Sequence, residues 1–107
     1  MELEEALTRL SALSTRSRLD VIRLLAKDGG SEGMRSGEIA RRLEVPANTL
    51  STQLLHLSNA RLVRFHRKSR NIIYSANLDS IRELIEFLAR DCAEGRLSVS
   101  VKKAPRT

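Results

Sequence analysis

At 107 residues the chain has the length of one small domain. With 41% apolar and 30% charged residues it has the balance of a soluble globular protein, and no apolar run approaches the ~20 residues that a bilayer-spanning helix needs. The net charge of +6 favours an acidic partner, and the single cysteine, Cys92, excludes an intrachain disulfide.

The opening MELEEALTRL is acidic and amphipathic, unlike a secretory signal, so the cytoplasm is the expected compartment and no membrane partner is expected. Leu3, Ala6, Leu7, Leu10 and Leu13 recur at helical spacing and predict a first helix. Ser14 or Thr15 offers an N-cap for a second. There Leu19, Ile22, Leu25 and Ala26 make the expected buried stripe, flanked by Val21 and Leu24, and Gly29-Gly30 should stop the helix. SEGMRSG reads as a loop. Ser36 reads as the cap of a short third helix, with Glu38 in its first turn and Ile39, Ala40 and Leu43 inward. Glu44-Val45-Pro46 makes a break, and Pro46 suits the start of a fourth helix running to about Ala60.

From Leu62 the period changes. LVRFHR and NIIYSAN are short, rich in β-branched and aromatic residues, and separated by Lys68-Ser69-Arg70, which predicts a hairpin. A last helix should start near Asp79 as its cap, with Ile81, Leu84, Ile85, Leu88 and Cys92 as its apolar stripe and Gly95 as its stop. Residues 1–96 then form one domain, and 97–107 (LSVSVKKAPRT) a flexible basic tail. Four helices, two strands and a fifth helix make a mainly α fold with a small β-hairpin, a winged helix-turn-helix.

The charge is concentrated. Residues 35–70 hold eight basic residues against two acidic ones, whereas the segments on either side are nearly neutral. Within this basic third lies VPANTLSTQLLHL, whose polar side is Asn48, Thr49, Ser51, Thr52, Gln53 and His56, with no carboxylate among them. A solvated helix face is usually rich in Glu and Lys. Amides and hydroxyls suit base edges in a major groove, where acids would repel phosphate. Leu55 falls towards this side and is expected to be half-buried or against the hairpin. Arg67, Lys68 and Arg70 at the hairpin turn, with Arg64 nearby, suit phosphates or a flanking minor groove.

ALSTRSRLDVIRLLA (Ala12–Ala26) and VPANTLSTQLLHLSNARLVRFHRKSRNIIYSAN resemble the second helix, recognition helix and wing of ArsR-family winged-helix repressors. The resemblance covers about Leu7 to Leu88. It implies a homodimer, a palindromic operator in double-stranded DNA, and repression relieved by a signal. Two glycines usual in the family are replaced, by Arg61 after the recognition helix and by Ser69 in the wing turn. Neither adopts positive φ easily, so the turn at Arg61 should close some other way.

The metal sites of the resembling family are not legible here. Met34-Arg35-Ser36-Gly37-Glu38 replaces its thiol pair, residues 78–96 contain no His, and Cys92 is followed by Ala93. A soft-metal site needs several converging ligands, so no metal and no cofactor are expected, and the inducer is unknown. Cys92 reads as a small buried apolar residue; the alternative is a thiol pair across a two-fold axis that senses oxidants. His56 either touches DNA or faces water, and His66 is expected at the surface. Leu3, Leu7 and Leu10 with Ile81, Leu84, Ile85 and Leu88 offer more apolar face than a small core needs; in the resembling family these two helices form the dimer interface.

The sequence thus reads as a dimeric, sequence-specific transcriptional regulator. The alternative is a winged-helix module for protein contact or non-specific nucleic-acid binding. An enzyme is disfavoured, because no triad, phosphate loop or metal cluster is legible.

Overall fold

Helix α1 (Leu3–Ala12) starts where the Glu2 backbone N–H donates to the Glu5 carboxylate at 3.0 Å. That bond holds the Glu5 carboxyl below its usual range. The helix turns an unexpected side inward. Ala6, Arg9 and Ala12 are buried, whereas Leu3, Leu7 and Leu10 are 57%, 48% and 39% exposed. Ala12 joins the main core, and α1 lies against the last helix. The Arg9 guanidinium reaches across to donate to the Ser80 carbonyl at 2.9 Å and to Glu83 at 3.0 Å. The predicted leucine stripe is real, but the described residues leave it largely uncovered. The computed structural model describes residues 1–93, so the expected stop at Gly95 and the tail over 97–107 lie outside the described residues.

Thr15 caps α2 (Arg16–Leu24), its hydroxyl accepting from the Arg18 N–H. The inner row is Arg18, Val21, Ile22 and Leu25, not the predicted one; Leu19 and Ala26 are exposed. The row is rotated because Arg18 turns inward, its Nε donating to the Ala12 carbonyl at 2.7 Å. The helix widens into a π-turn over Leu25–Gly29 and ends at Gly30, with φ 59°. It therefore passes through Gly29 rather than stopping before it.

The expected loop SEGMRSG contains a strand, β1 (Met34–Arg35). Gly33, at φ 86°, admits it: a Cβ there would come within 2.5 Å of the Tyr74 carbonyl oxygen. Helix α3 (Ser36–Leu43) follows at once, so Ser36 is its first residue rather than its cap. Pro46 caps α4 (Ala47–Asn59), whose Leu50, Leu54 and Leu57 are buried.

Both helices of the pair close in the same way. Glu44, at φ 58°, ends α3, with the Val45 N–H donating to the Ala40 carbonyl. Arg61, at φ 62°, ends α4, with the Leu62 N–H donating to the Leu57 carbonyl. These are Schellman closures, which usually place glycine in the left-handed position. The turn at Arg61 therefore keeps the usual geometry on a residue that resists it, contrary to the sequence-based expectation. The Arg61 carbonyl also accepts from Asn77 Nδ2 at 2.9 Å.

The hairpin pairs β2 (Val63–Lys68) with β3 (Asn71–Ala76), from Val63↔Ala76 to Lys68↔Asn71. Its loop is thus two residues, Ser69-Arg70, with Ser69 at φ 59°. Strand β1 joins β3 on the other edge, making a three-stranded antiparallel sheet in the order β1-β3-β2. Placing an L-residue in this region costs ~1–2 kcal/mol, partly offset by the entropy that glycine adds to the unfolded chain. Ser69→Gly and Arg61→Gly are each expected to raise stability by about 0.5–1 kcal/mol, read as a higher urea midpoint at unchanged slope.

Helix α5 (Leu78–Ala93) is capped by Asn77, whose Oδ1 accepts from the Ser80 N–H; Asp79, the predicted cap, lies within the helix. Leu84 is buried in its own chain, Ile81 and Leu88 are half-buried, Ile85 is 44% exposed, and Cys92 is exposed rather than buried. The core gathers Val21, Ile22 and Leu25 of α2 and its π-turn, Ile39 of α3, the three α4 leucines, and Leu62 and Val63. Among the described residues no helix is long and apolar enough to cross a membrane.

Candidate nucleic-acid interface

The α4 leucines anchor one side of the helix, which throws the opposite side outward. Asn48, Thr49, Ser51, Thr52 and His56 are all exposed. Asn48 folds back at the first turn, where its Oδ1 accepts from the Thr49 N–H at 2.9 Å, while the Thr52 hydroxyl donates to the Asn48 carbonyl at 3.3 Å. Gln53 differs from the others. It is half-buried, and its Oε1 accepts from Arg18 Nη1 at 3.3 Å. Leu55, expected against the hairpin, is instead 62% exposed. It lies one turn after Ser51 on the outer side.

Pairing of β2 with β3 projects the basic turn away from the core. Arg67, Lys68 and Arg70 are exposed, and none forms an ion pair among the described residues. Arg64 is further back, 3.8 Å from Asp79 at the start of α5. This pair is exposed on both sides and worth little. Arg64 is therefore partly occupied within the chain, unlike the three residues at the tip.

Two further arginines were missed. Arg35 on β1 and Arg41 on α3 line a groove of about 660 Å³ with Ser51 and Arg70, bounded by the first turn of α3, α4 and the hairpin. Their signal was present in the basic count of residues 35–70, but the loop assignment to SEGMRSG hid the strand that carries Arg35. Glu38 borders the same groove, held by Arg41 at 4.0 Å and Arg42 at 3.5 Å, while Arg42 also pairs with Asp28. The acid nearest the groove is thus shared between two cations. Sequence reasoning also missed Arg18, which bonds to both the end of α1 and α4.

One surface thus joins an acid-free helix face, a groove with three arginines and a cationic hairpin tip. Amide and hydroxyl groups lie beside cations, the two kinds of side chain that protein–DNA contacts use on base edges and on phosphates. Among the described residues, no group of three or more His, Cys, Asp or Glu side chains is placed to hold a metal ion.

The match to known families agrees with this geometry. The family model described as "Bacterial regulatory protein, arsR family" matches residues 15–64, from the cap of α2 to the second residue of β2. No curated protein sequence matches the chain. An ArsR-like transcriptional regulator from Rhodococcus sp. RHA1 superposes with a TM-score of 0.75 at 25% identity, covering 85% of this chain and 82% of that one. NolR from Sinorhizobium fredii superposes with a TM-score of 0.65 at 29% identity, covering 83% and 85%. The homodimeric winged helix-turn-helix DNA-binding domain Mb0332 of Mycobacterium bovis shares the fold, with a TM-score of 0.68 at 22% identity over 85% and 82%. Residues 15–64 thus carry an ArsR-family helix-turn-helix segment, and the fold around it is that of winged-helix DNA-binding transcriptional regulators rather than of enzymes.

Proposed function

We propose that the protein is a dimeric, cytoplasmic repressor that binds a palindromic operator in double-stranded DNA. The observation that carries the DNA-reading half is the acid-free outer side of α4, with Asn48, Thr49, Ser51, Thr52 and His56 exposed beside the Arg67–Lys68–Arg70 tip. The dimer half rests on α1. Among the described residues this helix buries an arginine and exposes three leucines, an apolar face suited to a partner. Leu3, Leu7 and Leu10, with Ile85 and the edges of Ile81 and Leu88 on α5, form one apolar face for a second copy. Leu84 takes no part, being covered already. The Mycobacterium bovis domain of the same fold is homodimeric, which supports the same arrangement. A two-fold axis would set two α4 helices about one DNA turn, ~34 Å, apart.

Regulation acts without the thiolate or imidazole metal sites of the family. The whole chain has one cysteine and two histidines; His56 and His66 are on α4 and β2, and Cys92 is on α5. Addition of zinc or arsenite should therefore leave operator complexes intact.

DNA titration against salt tests the proposal. Operator binding should reach ~10⁻⁸ M and exceed random DNA by at least ~10³. Its logarithm should fall with log salt by about 0.9 per phosphate contact. Asn48→Ala should cost about 1–3 kcal/mol and relax sequence preference, whereas Arg67→Ala or Lys68→Ala should weaken all sequences alike and lower the salt slope by about one. Equal behaviour of the two classes would show that helix and tip do not divide the work. Binding to a protein partner with no preference among DNA sequences would favour the alternative of an interaction module.

A further inference from the structure

The side chain that separates Gln53 from its polar neighbours is Arg18. This guanidinium has three acceptors: the Ala12 carbonyl through Nε at 2.7 Å, the Ser11 carbonyl through Nη2 at 3.3 Å, and Gln53 Oε1 through Nη1 at 3.3 Å. Two of these lie at the end of α1 and one on α4. Arg18 is half-buried, and its backbone is fixed by the Thr15 cap one turn earlier.

Arginine has donors only, and a glutamine amide has two chemically different ends. An arginine at Nη1 distance therefore selects which end faces it, and the oxygen must turn towards α2. Nε2 is left over. It has no hydrogen-bond partner among the described residues, and it is not sealed from solvent.

We propose that Arg18 is a specificity-determining positioning residue: it turns the Gln53 amide so that the oxygen faces α2 and the N–H₂ donor is the end left for DNA on that flank of α4. The consequence is a definite base preference. Glutamine pairs with adenine by using both ends, the oxygen on N6 and the nitrogen on N7. With Oε1 withdrawn, Gln53 reads a base edge that offers an acceptor, such as guanine O6 or N7, thymine O4, or adenine N7 alone. The inference deepens the operator-binding function and rests on it.

Selection of sites from randomised duplex DNA, with wild type and Gln53→Ala, locates the base pair that Gln53 controls. One pair per half-site is expected to lose about tenfold of its preference in Gln53→Ala, with the others unchanged. At that pair, an analogue lacking the acceptor, such as a 7-deazapurine or 4-thiothymine, should weaken wild type about tenfold and leave Gln53→Ala as it was. Removing the adenine N6 amine should change neither protein. Arg18→Lys replaces the planar fork with one point donor and should relax the same pair and no other, a result that general loss of stability would not give.

Dependence of wild type on the N6 amine would overturn the inference, as would a selected operator in which Gln53→Ala shifts no pair. The base-analogue arm decides the matter even where Arg18→Lys does not fold. Selection of no sequence at all would contradict operator binding itself, a different failure with a different signature.

Discussion

Leu7→Glu is expected to convert the protein into a folded monomer and to lower operator affinity by ~10³-fold or more, approaching its affinity for random DNA. Leu7 is the middle residue of the exposed α1 leucines and is 48% exposed, so the chain's own core loses little when it changes. Across a two-fold axis the same substitution appears twice. Two carboxylates would then enter an apolar seam, each costing several kcal/mol if left unpaired. A monomer keeps one α4 and one hairpin tip and so loses half its contacts together with the fixed spacing between half-sites. Light scattering at micromolar concentration, beside circular dichroism and DNA titration, checks all three parts. A Leu7→Glu protein that remains dimeric places the interface elsewhere, and a monomeric wild type contradicts the dimer itself.

The second large effect sets two leucines of one helix against each other. Leu57 is fully buried among Leu50, Leu54 and Leu62, whereas Leu55, two residues earlier, is 62% exposed. Leu57→Ala should cost about 3 kcal/mol through lost burial and the cavity left behind. For a domain of this size that corresponds to a fall in melting temperature of roughly 12–24 °C. Leu55→Ala should stay within about 0.5 kcal/mol of wild type. Chemical denaturation of the two variants separates the faces of α4 without reference to DNA. Comparable losses would mean that α4 is rotated from the arrangement described.

Much of the fold was legible because its longer elements have a period. The α3-break-α4 unit and the hairpin follow from apolar spacing at 3.6 and then 2, with Pro46 as punctuation. What failed did so for identifiable reasons. A period shows that a helix has an apolar side, not what covers it, so the α1 leucines looked like core and face outward. In α2 the stripe was misplaced because an arginine took an inward position; its hydrogen bonds to Ala12, Ser11 and Gln53 span up to 35 residues and leave no local pattern. Strand β1 has two residues, too few for any alternation. Arg61 and Ser69 adopt left-handed backbone although neither is glycine, because hydrogen bonds and strand pairing around them outweigh a cost of order 1–2 kcal/mol.

The candidate surface divides in the same way. Residue chemistry identified its exposed members, since the lack of carboxylates in Asn48–His56 is visible in the string itself. Long-range geometry decided the rest. Gln53 is claimed by Arg18, Arg64 lies against Asp79, and Arg35 and Arg41 join the groove only once β1 is recognised as a strand.

That short strand has a mechanical consequence. Met34 pairs with Tyr74 and Arg35 with Ile73, and α3 begins at the very next residue. The piece of chain that launches the helix pair is therefore stitched to the middle of the sheet that carries the basic tip. The helix pair and the basic tip are thus carried by one frame. A duplex that meets both at once is expected to match their separation or to bend to it, which would make the shape of DNA, as well as its bases, count in binding.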